Sequence, residues 1–441
     1  MLRNFRRCLF LSPQSQFYLS KQTFLTNEYK CTEAWNTQTA SPILTKVNLH
    51  DFYNILDQNY SSKGVISAID VDIFANAVKD PAYLDELKDL LHKLRLSAET
   101  GNTLESTNHA TIRNFIEFGN LQDLVQILKD PLNFGLFLDF YSANILLDKL
   151  ITTQNYELGA NVASLIMLQE DFSNEITNTL CQYVCFKHLT DYKVTPIEPP
   201  PQEEKNKKKE EIKIRVKFLR NPYFDDHFDI TDLQILSGKT LAWISKTAND
   251  NVSCNLQLIG WLFYKKYDKL LSLTEELVAM KTFKVYTEVK DFIKRESENV
   301  EDDVKELLLK SIKILDQASF ADTKLELSIK IAIENAINKK QNKDIMEQKE
   351  LFKNWESIRE MKLEEQSKRL DRTKRMKLLE EKQKQLQVEE QKLWFFENEE
   401  NIDLQIEEKE QLEDTVTKSK KVAQQITDEN YIPPVILPKR K

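Results

Sequence analysis

The sequence predicts a mostly α-helical protein, and three observations support this fold class. The chain has only seven glycines in 441 residues, whereas phosphate-binding loops, dinucleotide folds and tight β-hairpins need glycine for positive φ angles or close backbone approach. Apolar residues recur every three or four positions through most of the chain, which is the period of a buried helix face. Long stretches are rich in Lys, Glu and Leu, which favour helix. We therefore expect an all-α fold without a typical enzyme active site.

Composition and charge limit the classes of partner. With 41% hydrophobic residues the chain can bury a core, and its length suits two or three domains. The net charge of −8 lacks the overall basic signature of a nucleic-acid-binding protein, so any RNA contact must be local. The chain contains no run of 18 apolar residues, so the sequence predicts no membrane-spanning helix. The five cysteines form no regular framework, which suits a reducing compartment.

The first 27 residues are typical of a mitochondrial transit peptide. Arg3, Arg6, Arg7 and Lys21 precede the first acid, Glu28, and Ser and Gln lie between them. An Arg-rich, hydroxylated segment without acids is typical of such an address, whereas a secretory signal needs an apolar core of about 7–15 residues. The alternative is an ordinary disordered basic tail. We expect residues 1–27 to direct the chain to the mitochondrial matrix, with an approximate end.

The remaining sequence divides by composition. Amphipathic helical stretches fill residues 47–191, and a Pro-rich, charged linker follows at 192–211. A second helical region, 212–339, starts with an alternating segment, Ile212–Phe218, that predicts a strand. Residues 340–414 lack Gly and Pro and predict a long charged helix or coiled coil, with a thin apolar seam at Leu351, Trp355, Ile358 and Met361. We expect the C-terminal tail, 415–441, to be extended.

A repeat of about 35 residues runs through the first helical region. Sliding His109–Asn133 by 35 positions places it on Asn144–Leu168, with Gly119-Asn120 falling on Gln154-Asn155. Helix–turn–helix units of about 34–35 residues are typical of an α-solenoid. Ordinary helix hairpins with coincidental spacing are the alternative.

The segments Phe134–Asp148, Gln154–Glu157 and Met167–Phe172 resemble the pentatricopeptide region of one family, mitochondrial small-subunit ribosomal protein number twenty-seven. The close resemblance covers about 108–190, and the order of transit peptide, solenoid and charged helix agrees with the family. The resemblance implies a structural protein of the mitochondrial ribosome that contacts small-subunit ribosomal RNA and neighbouring ribosomal proteins. We expect no homo-oligomer and no membrane contact.

The resemblance also indicates two base-facing positions, His109 and Asn144. Pentatricopeptide repeats read single-stranded RNA with two or three side chains per base. Two clear repeats cannot specify a useful sequence, so shape and phosphate contacts are the stronger expectation. For both residues the alternative is a solvent-facing polar side chain or a helix cap.

A basic segment in the long helix is the main candidate for RNA contact. It carries six cations against Asp371 alone, and each phosphate neutralised strengthens RNA binding through counterion release. We call Lys368–Lys377 the basic segment; its cations are Lys368, Arg369, Arg372, Lys374, Arg375 and Lys377. Lys205–Lys209 and Lys439–Lys441 are smaller clusters, and a solvated helix face is the alternative. We call Glu397–Asp414, with nine acids against Lys409, the acidic segment; it should avoid RNA and face solvent or a basic protein.

Three patterns resemble chemical sites but lack essential parts. Gly238-Lys239-Thr240 ends like a phosphate loop, but Leu233 stands where the motif needs glycine. Cys181, Cys185 and His188 share a helix face, but zinc needs four ligands. Asp225-Asp226-His227 has no accompanying nucleophile. We expect no catalytic residue, no cofactor and no metal.

Two other functions stay open. A free pentatricopeptide factor for organellar transcript processing or translation would need more repeats and a basic RNA-binding face. A mitochondrial coiled-coil scaffold without RNA contact would dimerise through Leu379, Leu386 and Leu393, which recur every seven residues.

Overall fold

The computed structural model describes residues 23–191, 230, 232–280, 282–298 and 302–428. These ranges contain eighteen α-helices, three short 3-10 helices and one pair of two-residue parallel strands, Lys284–Val285 and Ser319–Phe320. The all-α prediction is confirmed. The predicted strand Ile212–Phe218, the linker 192–211 and the cluster at Asp225–His227 lie outside the described residues.

The helices of the first part of the chain are α1 Thr32–Thr39, α2 Pro42–Thr45, α3 Leu49–Lys63, α4 Ala68–Ala77, α5 Leu84–Leu96, α6 Glu105–Phe118, α7 Leu121–Lys129, α8 Pro131–Phe134, α9 Phe140–Thr152, α10 Tyr156–Leu168 and α11 Glu175–Asp191. Those of the second part are α12 Leu233–Ser245, α13 Asn251–Phe263, α14 Tyr267–Ala279, α15 Thr287–Ser297, α16 Asp302–Leu315, α17 Leu325–Glu397 and α18 Glu399–Asp428.

The chain forms two compact units, one ending at Arg359 and one beginning at Glu360. In the described part of the first unit, six helix pairs stack in sequence order: α4/α5, α6/α7, α9/α10, α11/α12, α13/α14 and α15/α16. First helices of neighbouring pairs pack on one another from α4 through α6 and α9 to α11, and second helices do so from α7 through α10 to α12. This is the solenoid that the 35-residue shift predicts.

The aligned turns have the same chemistry in the structure. Asn120 caps α7 by accepting a hydrogen bond from the backbone N–H of Gln122 at 3.0 Å. Asn155, which the shift superimposes on Asn120, caps α10 by accepting from the N–H of Leu158 at 3.3 Å. An asparagine at this position satisfies a backbone donor that the helix itself leaves unpaired.

The stack continues through the second helical region. Gln182 on α11 donates hydrogen bonds to the Oγ atoms of Ser245 on α12 and Ser253 on α13, at 3.2 and 3.0 Å. Helices α12 and α13 approach especially closely, because a Cβ on Gly260 would lie 2.4 Å from the backbone N of Ala242. The two halves of the first unit are therefore joined by a buried polar contact, and a close helix crossing lies within the second half.

The long helix begins at Leu325, earlier than the expected Lys340, and α18 follows it after Asn398. Its buried residues between 340 and 359 also differ from the predicted seam. Leu351 and Met361 are exposed, and only Trp355 of the four seam residues is buried. The face that packs on the first unit consists instead of Ile345, Gln348, Phe352, Trp355 and Arg359, spaced by three or four residues.

Candidate nucleic-acid interface

The first helices of the pairs, α4, α6, α9 and α11, form a face that we call the first-helix face. The initial part of α17 runs along this face in the reverse order of the pairs. Lys339 pairs with Glu175 of α11 at 2.9 Å, Phe352 packs on His109 of α6, and Arg359 reaches Asp72 of α4. Within the first unit, protein therefore covers the surface on which a pentatricopeptide repeat would present its RNA-reading side chains.

His109 lies under this cover, in an aromatic cage. Its ring centroid is 5.2 to 5.7 Å from those of four aromatic side chains, namely Trp35, Tyr141, Phe352 and Trp355. Its Nδ1 is 3.4 Å from a carboxylate oxygen of Asp139. Desolvation alone would raise the pKa of Asp139, but the interaction with His109 and the hydrogen bonds from Ser142 together outweigh it, and the pKa is lowered. His109 is neither solvent-facing nor a helix cap.

Asn144 is fully buried and bonded on both sides of its amide. Its Nδ2 donates to the hydroxyl of Tyr29 at 2.8 Å, and its Oδ1 accepts from the hydroxyl of Thr177 at 2.8 Å. Burial raises the pKa of Tyr29, so this phenol stays protonated and donates in turn to Asp344 of α17 at 3.2 Å. Contact of His109 and Asn144 with RNA stays a prediction, and it requires the residues that cover them to move away.

The ion pair between Asp72 and Arg359 lies at the C-terminal end of the part of α17 that packs on the first-helix face. The Arg359 Nε lies 2.7 Å from Asp72 Oδ2, and the two side chains are 1% and 0% exposed. The other carboxylate oxygen accepts from Thr107 at 2.9 Å, from Asn76 at 3.0 Å and from Ser106. A buried charge is tolerated when it is paired and hydrogen-bonded in this way. The two residues lie 287 positions apart in the sequence. Their ion pair therefore holds Arg359 of α17 against α4, the first helix of the stack.

A cavity of about 250 Å³ opens between α6 and α9, beside the N-terminal segment. Its lining combines the apolar Ile116 and Ile145 with charged groups on Arg113, Asp148 and Lys149. The charges are largely engaged by protein: Arg113 Nε contacts Glu117 at 3.2 Å, and Lys149 donates to the carbonyl of Ile116 at 3.0 Å. We therefore interpret the cavity as a packing gap between two repeats and not as an anion-binding site.

The basic segment lies in the second unit, on α17, where all six of its cations are exposed. At about 100° per residue, Lys368, Arg372 and Arg375 fall on one side of the helix, and Lys374 and Lys377 fall on the far side. A hydrogen-bonded ion pair with Glu364 at 2.8 Å raises the pKa of the Lys368 ammonium, which therefore stays charged. The arrangement presents an exposed cationic stripe about two turns long.

The sequence matches a family model described as mitochondrial 28S ribosomal protein S27 over residues 1–422. The chain belongs to the mitochondrial 28S ribosomal protein S27 family. It is therefore a protein of the small subunit of the mitochondrial ribosome, located in the matrix with that ribosome. The resemblance seen over 108–190 extends through the first unit and through residues 360–422 of the second.

In this S27-family chain, two of the three patterns that resemble chemical sites lie within the described residues, and both have structural explanations. Gly238 lies inside α12, where a Cβ would meet the backbone of Phe263 at 2.8 Å, so this glycine permits helix packing. Cys181 and Cys185 are fully buried, and burial raises the pKa of the Cys185 thiol to about 12, so it stays protonated. Burial also lowers the pKa of His188.

The described part of the S27-family structure offers neither a metal centre nor a membrane-spanning helix. Among the described residues, no group of three or more His, Cys, Asp or Glu side chains is arranged to hold a metal ion. Across the helices of the described ranges, none combines the length and the apolar character needed to cross a bilayer.

Proposed function

We propose that this chain is an architectural protein of the small subunit, which binds ribosomal RNA through the basic segment and contacts neighbouring ribosomal proteins through other surfaces. The observation that carries the proposal is the cationic stripe of Lys368, Arg372 and Arg375, exposed on a helix within a protein of net charge −8. Local positive charge on an otherwise acidic protein directs RNA to one place. No catalytic role is part of the proposal.

The covered first-helix face supports contact by shape and charge rather than base reading. Reading bases requires exposed polar side chains at the start of each repeat, and Asn144 and His109 are 0% and 2% exposed. A repeat stack whose face is filled by its own α17 is a stiff support. The basic segment would hold the RNA backbone.

Sedimentation of a mitochondrial lysate in a magnesium-containing gradient tests the ribosomal role. We expect the chain to migrate with small-subunit ribosomal RNA and to be displaced by EDTA or RNase. Migration as a small species that RNase does not shift would contradict the proposal and favour the coiled-coil scaffold. A small species that RNase does shift would favour a free transcript-binding factor.

Removing two cations from the stripe should weaken RNA binding. We expect Arg372→Gln with Arg375→Gln to lower affinity for small-subunit ribosomal RNA by about 30-fold at roughly 0.15 M salt. The slope of log affinity against log salt should fall by about 2, because two phosphate contacts are lost. Filter binding of the full chain over a salt series measures both quantities.

The far side of the same helix provides the matched control. Lys374→Gln with Lys377→Gln removes the same charge from the same two turns and should lower affinity by less than about threefold. Equal losses in the two double variants would show that the contact depends on net charge and not on the stripe.

The coiled-coil alternative has a specific weakness. Leu379, Leu386 and Leu393 supply one apolar position in each heptad, whereas a two-stranded coiled coil needs two. Four residues after the first two leucines stand Gln383 and Glu390. A homodimer would place these polar groups in its seam, so the leucines alone are a weak basis for self-association.

We also propose that the transit peptide ends before Thr23. The backbone N–H groups of Phe24 and Leu25 both donate to Asp148 Oδ1, at 2.8 and 3.3 Å. Burial raises the pKa of Asp148, and these two donors favour its charged form. Cleavage near residue 27 would remove both donors and the buried Leu25 side chain.

This boundary predicts a difference between two truncated chains. A chain that starts at Thr23 should unfold at the temperature of the mature protein, and one that starts at Glu28 should lose at least about 2 kcal/mol. Thermal unfolding followed by circular dichroism measures the difference. A mature N-terminus found at or beyond Leu25 by peptide sequencing would contradict the boundary.

A further inference from the structure

The end of α17 and the start of α18 carry a cluster of exposed apolar side chains in the second unit. Trp394, Phe395 and Phe396 are 60%, 43% and 68% exposed. The helix ends directly after them, where the backbone N–H and the Nδ2 of Asn398 both donate to the carbonyl of Trp394, at 3.2 and 3.0 Å. Exposed clusters of large aromatic residues mark interaction sites more often than simple solvent-facing surface.

The helix that follows is amphipathic in a specific way. At about 100° per residue, Ile402, Ile406 and Val416 of α18 fall on one side, which we call the apolar stripe, and Leu404 falls on the opposite side. Lys409 and Glu413 interrupt the stripe between Ile406 and Val416. Five acids lie along one side of the apolar stripe, and we call them the acidic flank: Glu399, Asp403, Glu407, Glu410 and Asp414. The stripe is exposed, since Ile406 and Val416 are each 49% accessible.

We propose that this surface, Trp394–Phe396 with the apolar stripe of α18 and its acidic flank, docks a Lys- and Arg-rich amphipathic helix of another ribosomal protein. The apolar stripe would pack against the partner's apolar face, and the acidic flank would pair with the partner's cations. An amphipathic helix laid on an apolar stripe is recognised through positions spaced by three and four residues. The acidic flank decides the partner's charge, because like charges would repel it.

The charge pattern separates this partner from the other possible occupants. Phosphates would be repelled by the nine acids of the acidic segment, so this surface does not bind RNA. A second copy would have to offer one of its own basic clusters, and the largest of these, the basic segment, is assigned to RNA by the proposed function. The inference rests on the proposed function, since it takes the partner from the mitochondrial ribosome.

Site-directed photocrosslinking in the full chain tests this surface. A benzophenone side chain in place of Ile406 should crosslink several-fold more than the same group in place of Leu404, which is 59% exposed on the opposite side. Tryptic mass spectrometry should identify the crosslinked segment as one of net positive charge with apolar residues at helical spacing, from a ribosomal protein. Asp403→Lys with Glu410→Lys should reduce the yield at Ile406 at least tenfold.

The outcomes distinguish this inference from the proposed function. Crosslinks to ribosomal RNA, to a second copy of the chain or to an acidic segment, or equal yields at the two positions, would overturn the docking surface. Crosslinking is carried out in whole mitochondria and read in every gradient fraction. A chain found outside the small subunit would contradict the proposed function, and the identity of its crosslinked peptide would still decide the inference.

Discussion

Replacing Arg359 by methionine is expected to destabilise the first unit by about 3 to 5 kcal/mol, because it leaves the buried Asp72 carboxylate without its cation. Thermal or urea unfolding of the full chain measures the loss. Amide hydrogen exchange should also become faster in 345–359, where α17 packs on the first-helix face.

Lys353→Met is the matched control, since it removes an exposed cation from the same helix six residues earlier. A change within about 0.5 kcal/mol is expected there. The double variant Asp72→Asn with Arg359→Met should lose less than the sum of the two single variants, because each single variant already breaks the pair. Two results would contradict the stabilising role of the Asp72–Arg359 ion pair: losses of unfolding free energy that are fully additive in the double variant, or an Arg359→Met chain as stable as the Lys353→Met control.

Substituting alanine for Gly260 is expected to destabilise the chain by about 3 kcal/mol or more, although glycine to alanine usually favours a helix by about 1 kcal/mol. The added Cβ would lie 2.4 Å from the backbone N and 2.7 Å from the Cα of Ala242. Backbone atoms cannot swing aside as a flexible side chain can, so α12 and α13 would have to separate. Urea unfolding gives the free-energy difference.

Gly101→Ala provides a comparison with the same chemical change. Nothing lies within 4 Å of a Cβ at Gly101, so its effect should stay within about 0.5 kcal/mol. A stabilised Gly260→Ala chain would mean that the close crossing of α12 and α13 is absent in solution.

The local features of the fold could be predicted from the sequence because their causes are local. The 35-residue shift placed Asn120 on Asn155, and both asparagines cap the second helix of their pair. Capping depends on residues within one turn of helix. The repeat and its turns can therefore be predicted without knowledge of the tertiary contacts. The all-α class follows for the same reason.

The covered first-helix face could not be predicted, because its causes are distant in sequence. Arg359 is buried only because Asp72 stands 287 residues earlier, and no pattern near either residue reveals the pairing. Apolar spacing alone favoured Leu351 and Met361 for the packed seam, whereas the observed face includes Gln348 and the buried guanidinium. A polar residue can occupy a buried helix position when its partner comes from elsewhere in the fold.

The positions that resemblance assigned to RNA illustrate the same limit. His109 and Asn144 stand where an open repeat would expose them, but Tyr29, Trp355 and their neighbours enclose them. The basic segment was easier to recognise, since its exposure on α17 follows from charge density alone.

The path of α17 has a kinetic consequence. The groups that close the first-helix face come from both ends of the first unit, and the Tyr29–Asp344 and Cys31–Ile345 contacts span 315 and 314 residues. Closing such long loops costs entropy before any contact forms, so these contacts form last and slowly. Until then the aromatic side chains around His109 stay in water, where they favour aggregation. We therefore expect the incompletely folded solenoid to be prone to aggregation until Arg359 has docked on Asp72.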